Sequence, residues 1–219
     1  LTVSSAPHLV GPVNTTRIMS TVLIALIPAF IAGIYQFGYR VIVLTAVCVA
    51  ACVVFEYLMN KIMKKQQTVG DLSAVVTGVL LAFNLPAGLP YWIAIVGCFA
   101  AIVVVKQLYG GIGQNLVNPA VTARIFMFIA FATEMTTWPT ARGASEANIA
   151  SSVDGITSAT PLGELSHGGV EAVTASNMDL FLGNVGGCIG EVSALALIIG
   201  GIFLIMTRVI TPHIPVAFI

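Results

Sequence analysis

The run Ile18–Phe37, IMSTVLIALIPAFIAGIYQF, decides the class of the fold. It contains no charged residue, and its length matches the roughly 20 residues that a helix needs to cross a bilayer core of about 30 Å. The run is too long for the apolar part of a secretory signal peptide, and no small-residue cleavage site follows it closely. It therefore predicts a membrane helix that is retained.

The same pattern recurs along the rest of the chain. Hydrophobic residues make up 58% of the 219 residues and charged residues 8%, which excludes a soluble domain of this size. The net charge is zero, so nothing favours a nucleic-acid partner. Further apolar runs occupy residues 41–60, 71–85, 91–107, 120–136 and 187–207, and a seventh begins near Ile214. We expect an all-α polytopic membrane protein with at least six transmembrane helices and the start of a seventh.

The basic residues predict its orientation, because Lys and Arg accumulate in cytoplasmic loops. An N-terminus in the cytoplasm places seven of the nine on that side and leaves Arg40 and Arg142 outside. The seven are Arg17, Lys61, Lys64, Lys65, Lys106, Arg124 and Arg208. Five crossings then deliver a long polar loop to the extracytoplasmic side. The expected parts are a lead-in with a five-helix membrane half at 1–136, this loop at 137–186, and the start of a second membrane half at 187–219.

The loop contains the segment 154–165, DGITSATPLGEL. Thr160 before Pro161 is typical of a helix start, because the threonine hydroxyl can cap the helix and proline suits its first position. A phosphate esterified to such a threonine would meet the free N–H groups of Leu162 and Gly163 and the positive end of the helix dipole. Read without any family, the segment is the capped start of a helix.

The string Asp-Gly-x-Thr-Ser-Ala-Thr-Pro-Leu resembles the flavinylation motif of a family of membrane subunits. That family includes RnfD of the Rnf complexes and NqrB of the Na+-translocating NADH:quinone reductase. The resemblance implies that Thr160 carries FMN through a phosphoester bond, installed outside the cytoplasm by a flavin transferase. Asp154 stands where the motif has its aspartate, and Ser158 and Ala159 match the small pair before the acceptor. The other residues of the implied site are Pro161, Leu162 and Gly163.

A glycine-rich segment, GGIGQNLVNPA at residues 110–120, lies between the fourth and fifth runs. It lacks the third glycine and the strand–helix setting of a dinucleotide-binding fingerprint. One interpretation is a re-entrant turn with Pro119 starting the next helix, since irregular backbone is tolerated where it lines protein or a cavity. The other is that Asn115 and Asn118 hold a polar ligand. The similar segment of NqrB lies beside a noncovalent riboflavin, so the resemblance implies a second flavin there.

Two acids fall inside apolar runs. Glu56 lies late in the second run and Glu191 early in the sixth, and intramembrane carboxylates are candidates for an ion path. The alternative is that both lie near an interface and reach into water. Cys48 and Cys52 are one helical turn apart, but small buried cysteines are commoner than ligands, and we predict no metal site.

The N-terminal residues 5–8, Ser-Ala-Pro-His, followed by Arg17-Ile18-Met19, resemble the start of RnfD and favour it over NqrB. The resemblance implies an electron-transfer subunit without acid–base catalytic residues, in a complex that couples electron flow between ferredoxin and NAD to Na+ or H+ translocation. The implied partners are membrane lipid and Rnf subunits A, B, C, E and the flavin-bearing G. The implied location is a bacterial or archaeal cell membrane.

RnfD continues for several helices after a His-x-Pro element like that at residues 213–215. We therefore expect the chain to correspond to the first two thirds of such a protein, with an inverted-repeat architecture completed beyond it. Three alternatives stay open at this stage. They are NqrB of the quinone reductase, a channel or solute carrier without a redox role, and a passive scaffold for partner subunits.

Overall fold

The computed structural model describes residues 14–139, 160, 162, 165, 166, 176–213 and 217. Within these residues the chain is mostly helical and contains no strand. The helices are α1 Thr15–Phe37, α2 Arg40–Ile62, α3 Ser73–Phe83, α4 Tyr91–Phe99, α5 Pro119–Ala130, α6 Ala132–Met135, α7 Asn177–Leu182 and α8 Ala194–Met206. A 3₁₀ turn, Val69–Asp71, precedes α3, and a π-helix, Ala100–Gln107, continues α4. The all-α expectation is confirmed for the described part of the chain.

Two of these helices are long and apolar enough to cross a bilayer. Helices α1 and α2 have 23 residues each, which corresponds to about 34 Å at 1.5 Å per residue. The other apolar helices have 10–17 residues. Large apolar side chains remain exposed on the outer faces, for example Ile31 at 60% and Ile129 at 78%. Surfaces of this kind suit lipid rather than water, and the full number of crossings stays a prediction.

Helix α2 lies at the centre of the fold. It packs against α3, α4 and the π-helix, while α1 packs against α8. The core between these helices consists of aliphatic, methionine and cysteine side chains with no exposed surface. They include Leu44, Cys48, Cys52, Leu81, Ile93, Cys98, Ile102 and Met127. This packing joins the described helices into one core.

The chain breaks its helical course after α3, at Asn84-Leu85-Pro86. The backbone groups freed there pair with a second irregular segment, because the Ile189 N–H donates to Leu85 O at 3.2 Å and the Gly190 N–H donates to Phe83 O at 2.9 Å. In a membrane such groups have no water to bond and must be paired within the protein. The contact joins the end of α3 to the segment before α8.

This pairing explains where the expected sixth helix differs from the observed one. The apolar run begins at residue 187, but α8 begins at Ala194, with Ser193 as its N-cap. Residues 188–190 are buried. The Ile189 and Gly190 N–H groups bond to Leu85 and Phe83, at the end of α3, rather than within a helix of their own. Helix α7 begins in a different way, with Ser176 and Asp179 forming a capping box.

Candidate functional site

Thr160 is partly buried and not helical, whereas Leu162, Leu165 and Ser166 are helical. This order agrees with a helix that begins just after Thr160. Leu162, two residues after Thr160, is 75% exposed. The residues present fit a phosphoester at Thr160, because a hydroxyl and a following helical turn are what it requires.

The other residues of the predicted motif lie outside the described part of the chain. They are Asp154, Ser158, Ala159, Pro161 and Gly163. Their predicted contribution to a flavin site stays a prediction.

The glycine-rich segment forms the irregular turn that the sequence predicted. Gly110, Gly111 and Gly113 have positive φ angles of 119°, 109° and 81°, conformations that L side chains rarely adopt. Asn118 then caps α5, since its Oδ1 accepts hydrogen bonds from Ala120 N at 3.0 Å and Val121 N at 3.4 Å. Pro119 starts α5, so the interpretation as a turn before a helix is correct.

Asn115 and Asn118 differ in what their side chains can still bind. The Asn118 oxygen is committed to the helix cap, whereas the Asn115 Oδ1 atom is buried and has no hydrogen-bond partner among the described residues. An unpaired buried acceptor costs free energy unless a donor reaches it. Asn115 therefore fits a polar ligand with an N–H or O–H group, such as a flavin. Asn118 would contribute to such a site only by fixing the turn, because its side-chain oxygen caps α5.

Glu56 is fully buried and forms an ion pair with a buried lysine. Both oxygens of the Glu56 carboxylate lie 3.0 Å from Lys106 Nζ. The Glu56 side chain is 0% exposed and the Lys106 side chain is 2% exposed. The interpretation that Glu56 reaches out to water from a nearby interface is therefore wrong. The π-helix brings Lys106 to this position at its C-terminal end, and π-helical turns are frequent at functional sites.

Polar side chains complete the surroundings of the pair. Lys106 Nζ also donates to Ser73 Oγ at 2.7 Å, and the Thr68 hydroxyl donates to Glu56 Oε1 at 2.8 Å. Gln107 Nε2 lies 3.4 Å from the same oxygen. Thr68 in turn accepts a hydrogen bond of 3.0 Å from Asn60. Such dense hydrogen bonding offsets the cost of removing a charge pair from water.

The pair lies directly behind a polar cleft of about 370 Å³. Asn60, Thr68 and Gln107 belong both to the surroundings of Glu56 and to the lining of the cleft. Lys65 and Asp71 line the same cleft. One layer of side chains therefore separates the buried carboxylate from the open space.

Sequence reasoning missed the partner of Glu56. It counted Lys106 among the cytoplasmic loop cations, whereas the structure buries Lys106 inside the fold. The available signal was a lysine at the end of an otherwise apolar run, with an intramembrane acid elsewhere in the chain. Without Lys106, six of the remaining eight basic residues (nine minus one) still favour the same orientation.

Glu191 has a different environment. It pairs with Arg124 at 3.0 Å, but its side chain is 59% exposed and that of Arg124 is 30% exposed. Arg124 also donates to Asn84 Oδ1 at 2.9 Å and contacts Cys188 Sγ at 3.3 Å. These contacts connect α5 to both irregular segments. Glu191 therefore lies where α5 meets these two irregular segments.

The four cysteines are buried and free. Cys98 joins Cys48 and Cys52 in the core, where its thiol donates to Cys48 O at 3.5 Å. Among the described residues, no group of three or more His, Cys, Asp or Glu side chains has an arrangement that could hold a metal ion. The cysteines act as small apolar side chains in this core.

Comparison with known proteins identifies the relatives of the chain. The model of the NQR2, RnfD, RnfE family matches residues 2–219. The chain is 47% identical to the D component of the Na+-translocating ferredoxin:NAD+ oxidoreductase complex of Acetobacterium woodii, over 100% of this chain and 66% of the relative. It is 36% identical to the D component of the proton-translocating complex of Clostridium ljungdahlii, over the same shares.

A third relative is the D component of the ion-translocating oxidoreductase complex of Rhodobacter capsulatus, at 35% identity over 97% of this chain and 65% of the relative. The chain thus spans about two thirds of the length of the curated relatives it matches, at 65–66%. The names of these relatives differ in the ion, Na+ or proton, although all three are the D component of their complexes.

Proposed function

The chain belongs to the NQR2, RnfD, RnfE family, and we propose that it works as the RnfD membrane component of an Rnf-type complex. That complex couples electron flow between ferredoxin and NAD to the translocation of Na+ or H+. The observation that carries the proposal is 47% identity over the whole chain to the D component of such a complex. All three relatives are D components, which favours this function over NqrB of the quinone reductase, a channel or a passive scaffold.

The proposed partners are the other Rnf subunits A, B, C, E and G, a flavin transferase and membrane lipid. The proposed location is the cell membrane, with the N-terminus in the cytoplasm. The mostly apolar helices and their exposed apolar faces support a membrane location. The distribution of basic residues supports the orientation.

We infer that Thr160 carries covalent FMN on the extracytoplasmic side. The supporting observations are the motif at residues 154–162 and the order of a non-helical Thr160 before a helical Leu162. When bound, FMN supplies one- and two-electron redox chemistry, and the protein contributes its position and electrostatic environment. The chain's own part is to present the Thr160 hydroxyl and to offer the first helical turn to the phosphate. A second, noncovalent flavin at Asn115 is supported by the unpaired buried oxygen of that side chain.

We also infer that Glu56 belongs to the ion path. A carboxylate that is 0% exposed and lies one side-chain layer behind a polar cleft can receive a cation that enters through that cleft. Glu191 is a weaker member of the path, because its exposed pair with Arg124 joins two irregular segments.

Replacing Thr160 tests the flavin proposal. In the full-length protein produced together with a flavin transferase, we expect mass spectrometry to find FMN on the peptide containing residues 158–165. Thr160→Ala should abolish the added mass completely, since alanine has no oxygen to esterify. The matched control is Thr174→Ala, which alters a threonine of the same loop outside the motif and should keep the flavin.

An unmodified Thr160 in cells that flavinylate other proteins would contradict this proposal. It would reduce the motif to a helix start and favour a channel-like function. Modification of Thr157 instead of Thr160 would contradict the assigned acceptor but not the redox function.

A further inference from the structure

The Lys106 ammonium occupies a position lined by oxygen atoms. Its Nζ lies 3.0 Å from each oxygen of Glu56 and 2.7 Å from Ser73 Oγ. An ammonium group has three N–H donors, so these three contacts satisfy it completely. Carboxylate and hydroxyl oxygens are also the kind of ligand that hard cations take in proteins. The position therefore suits a small monovalent cation as well as the tethered ammonium.

Because the Glu56 carboxylate is buried, one positive partner must balance its charge. Lys106 is its cationic partner within the described residues, and both side chains are almost completely inaccessible. Adding a second cation to the pair would leave an uncompensated charge in a low-dielectric environment, which is strongly unfavourable. A cation that reaches Glu56 must therefore replace Lys106. One positive charge arrives, one leaves, and the net charge of the site is unchanged.

The cleft provides access for the exchange and a place for the released ammonium. Thr68 and Gln107 separate Glu56 from the cleft, and both offer polar groups along the way. Asp71 lines the cleft as well. Its carboxylate gives the displaced Lys106 a compensating charge outside the buried site.

The π-helix gives Lys106 a means to move. Lys106 and Gln107 are the last two residues of the eight-residue π-helix Ala100–Gln107. A π-helical turn contains one residue more than the corresponding α-helical arrangement. Conversion to an α-helix would rotate the residues at its end by about 100°, the angle of one residue. Such a rotation carries Lys106 away from Glu56 without unfolding the helix.

We propose that Lys106 competes with the transported cation for one site formed by the Glu56 carboxylate and Ser73 Oγ. The inference rests on the proposed ion path through Glu56. Lys106 closes the site when no cation is bound and is displaced when one enters. A tethered ammonium has a high effective concentration, so it prevents the site from holding the cation permanently and favours its release.

Sodium-dependent stability of Lys106→Ala tests the competition. Thermal unfolding of the full-length protein in detergent is compared in NaCl and in choline chloride of equal concentration. We expect Na+ to raise the Tm of Lys106→Ala by about 5 °C or more at 100 times its Kd, and that of the wild type much less. Lys106→Ala/Glu56→Gln should lose the response. Lys61→Ala, which removes an exposed lysine, should behave like the wild type.

An equal response of Lys106→Ala and Lys106→Ala/Glu56→Gln would overturn the proposal. So would a folded Lys106→Ala that responds no more than the wild type. A second measurement needs no variant of Lys106, and it covers the case in which that variant fails to fold. Equilibrium binding of radiolabelled Na+ should be about tenfold weaker for Glu56→Gln than for the wild type, and equal binding would overturn the proposal.

These measurements involve neither flavin nor electron transfer. If Thr160 proves unmodified, the cation site can still be confirmed, and the proposed redox function alone fails. If Thr160 carries FMN while no cation response depends on Glu56, the competition by Lys106 fails and the redox proposal stands.

Discussion

Single residues differ in how much the fold depends on them, and the two acids illustrate the difference. Glu56 is 0% exposed, so removing one member of its pair leaves the other charged and buried, which costs about 3–5 kcal/mol. Glu191 is 59% exposed, and exposed ion pairs contribute about 0–1 kcal/mol. The two carboxylates have the same chemistry, but only Glu56 lies where water cannot replace its partner.

The two asparagines of the glycine-rich segment provide a prediction at this scale. Asn118→Ala removes an N-cap that accepts two backbone hydrogen bonds, so we expect a loss of about 1 kcal/mol in stability. Asn118→Asp keeps the acceptor and should be nearly neutral. Asn115→Ala removes a buried oxygen that has no partner, so we expect no loss or a small gain without ligand. Thermal unfolding in detergent, with and without riboflavin, measures all three.

Added riboflavin should make the wild type more stable to heat than Asn115→Ala, the reverse of the order expected without ligand. If it binds there, it should stabilise the wild type and Asn118→Asp, but it should stabilise Asn115→Ala less. A ligand-free protein that is clearly destabilised by Asn115→Ala would mean that the oxygen already has a donor, and it would contradict the second flavin site.

At the scale of elements, hydropathy predicted a helix correctly wherever the backbone of an apolar run forms its hydrogen bonds within that run. The predicted runs 18–37, 41–60 and 91–107 agree with α1, α2 and α4 with its π-helix to within a few residues. The run beginning at 187 is longer than the observed helix, because Ile189 and Gly190 are buried but bond to Leu85 and Phe83 at the end of α3. A hydropathy pattern reports burial and cannot report which backbone partner a buried segment has.

The candidate site also has one part that the sequence could predict and another part that it could not. Glu56 could be predicted as unusual, because a carboxylate inside an apolar run is costly on its own. Its partner Lys106 lies 50 residues away, and only the packing of the π-helix against α2 brings the two together. A motif within one loop, such as that around Thr160, is local and can be read from the sequence, whereas a pair between two helices cannot.

The junction of the two irregular segments gives a prediction at the element scale. A Cβ atom at Gly190 would lie 2.6 Å from the Phe83 Cβ atom, closer than real Cβ contacts allow. Gly190→Ala should therefore separate the segments and cost about 1–3 kcal/mol by overpacking. The matched control is Gly187→Ala, because nothing lies within 4 Å of a Cβ atom there. Thermal unfolding that gives equal Tm values for the two variants would mean that this contact does not hold the junction.

For the whole molecule, the proposed function depends on orientation. A flavin transferase outside the cytoplasm can modify Thr160 only if the loop 137–186 lies outside. The same orientation places the cleft beside Glu56 near the cytoplasmic loop that contains Lys61, Lys64 and Lys65. Electron transfer at Thr160 and ion uptake at Glu56 would then occur on opposite sides of the membrane, and the packed helices between them would carry any coupling.

This orientation can be tested with a membrane-impermeant maleimide on intact cells. The four cysteines of this chain are buried, so they should contribute little labelling before any cysteine is introduced. Ser145→Cys, within the predicted outer loop, should be labelled in intact cells. Gln67→Cys, at an exposed position after α2, should be labelled only after permeabilisation. The reverse pattern would place Thr160 in the cytoplasm, out of reach of the transferase, and would contradict both the flavin site and the direction of access to Glu56.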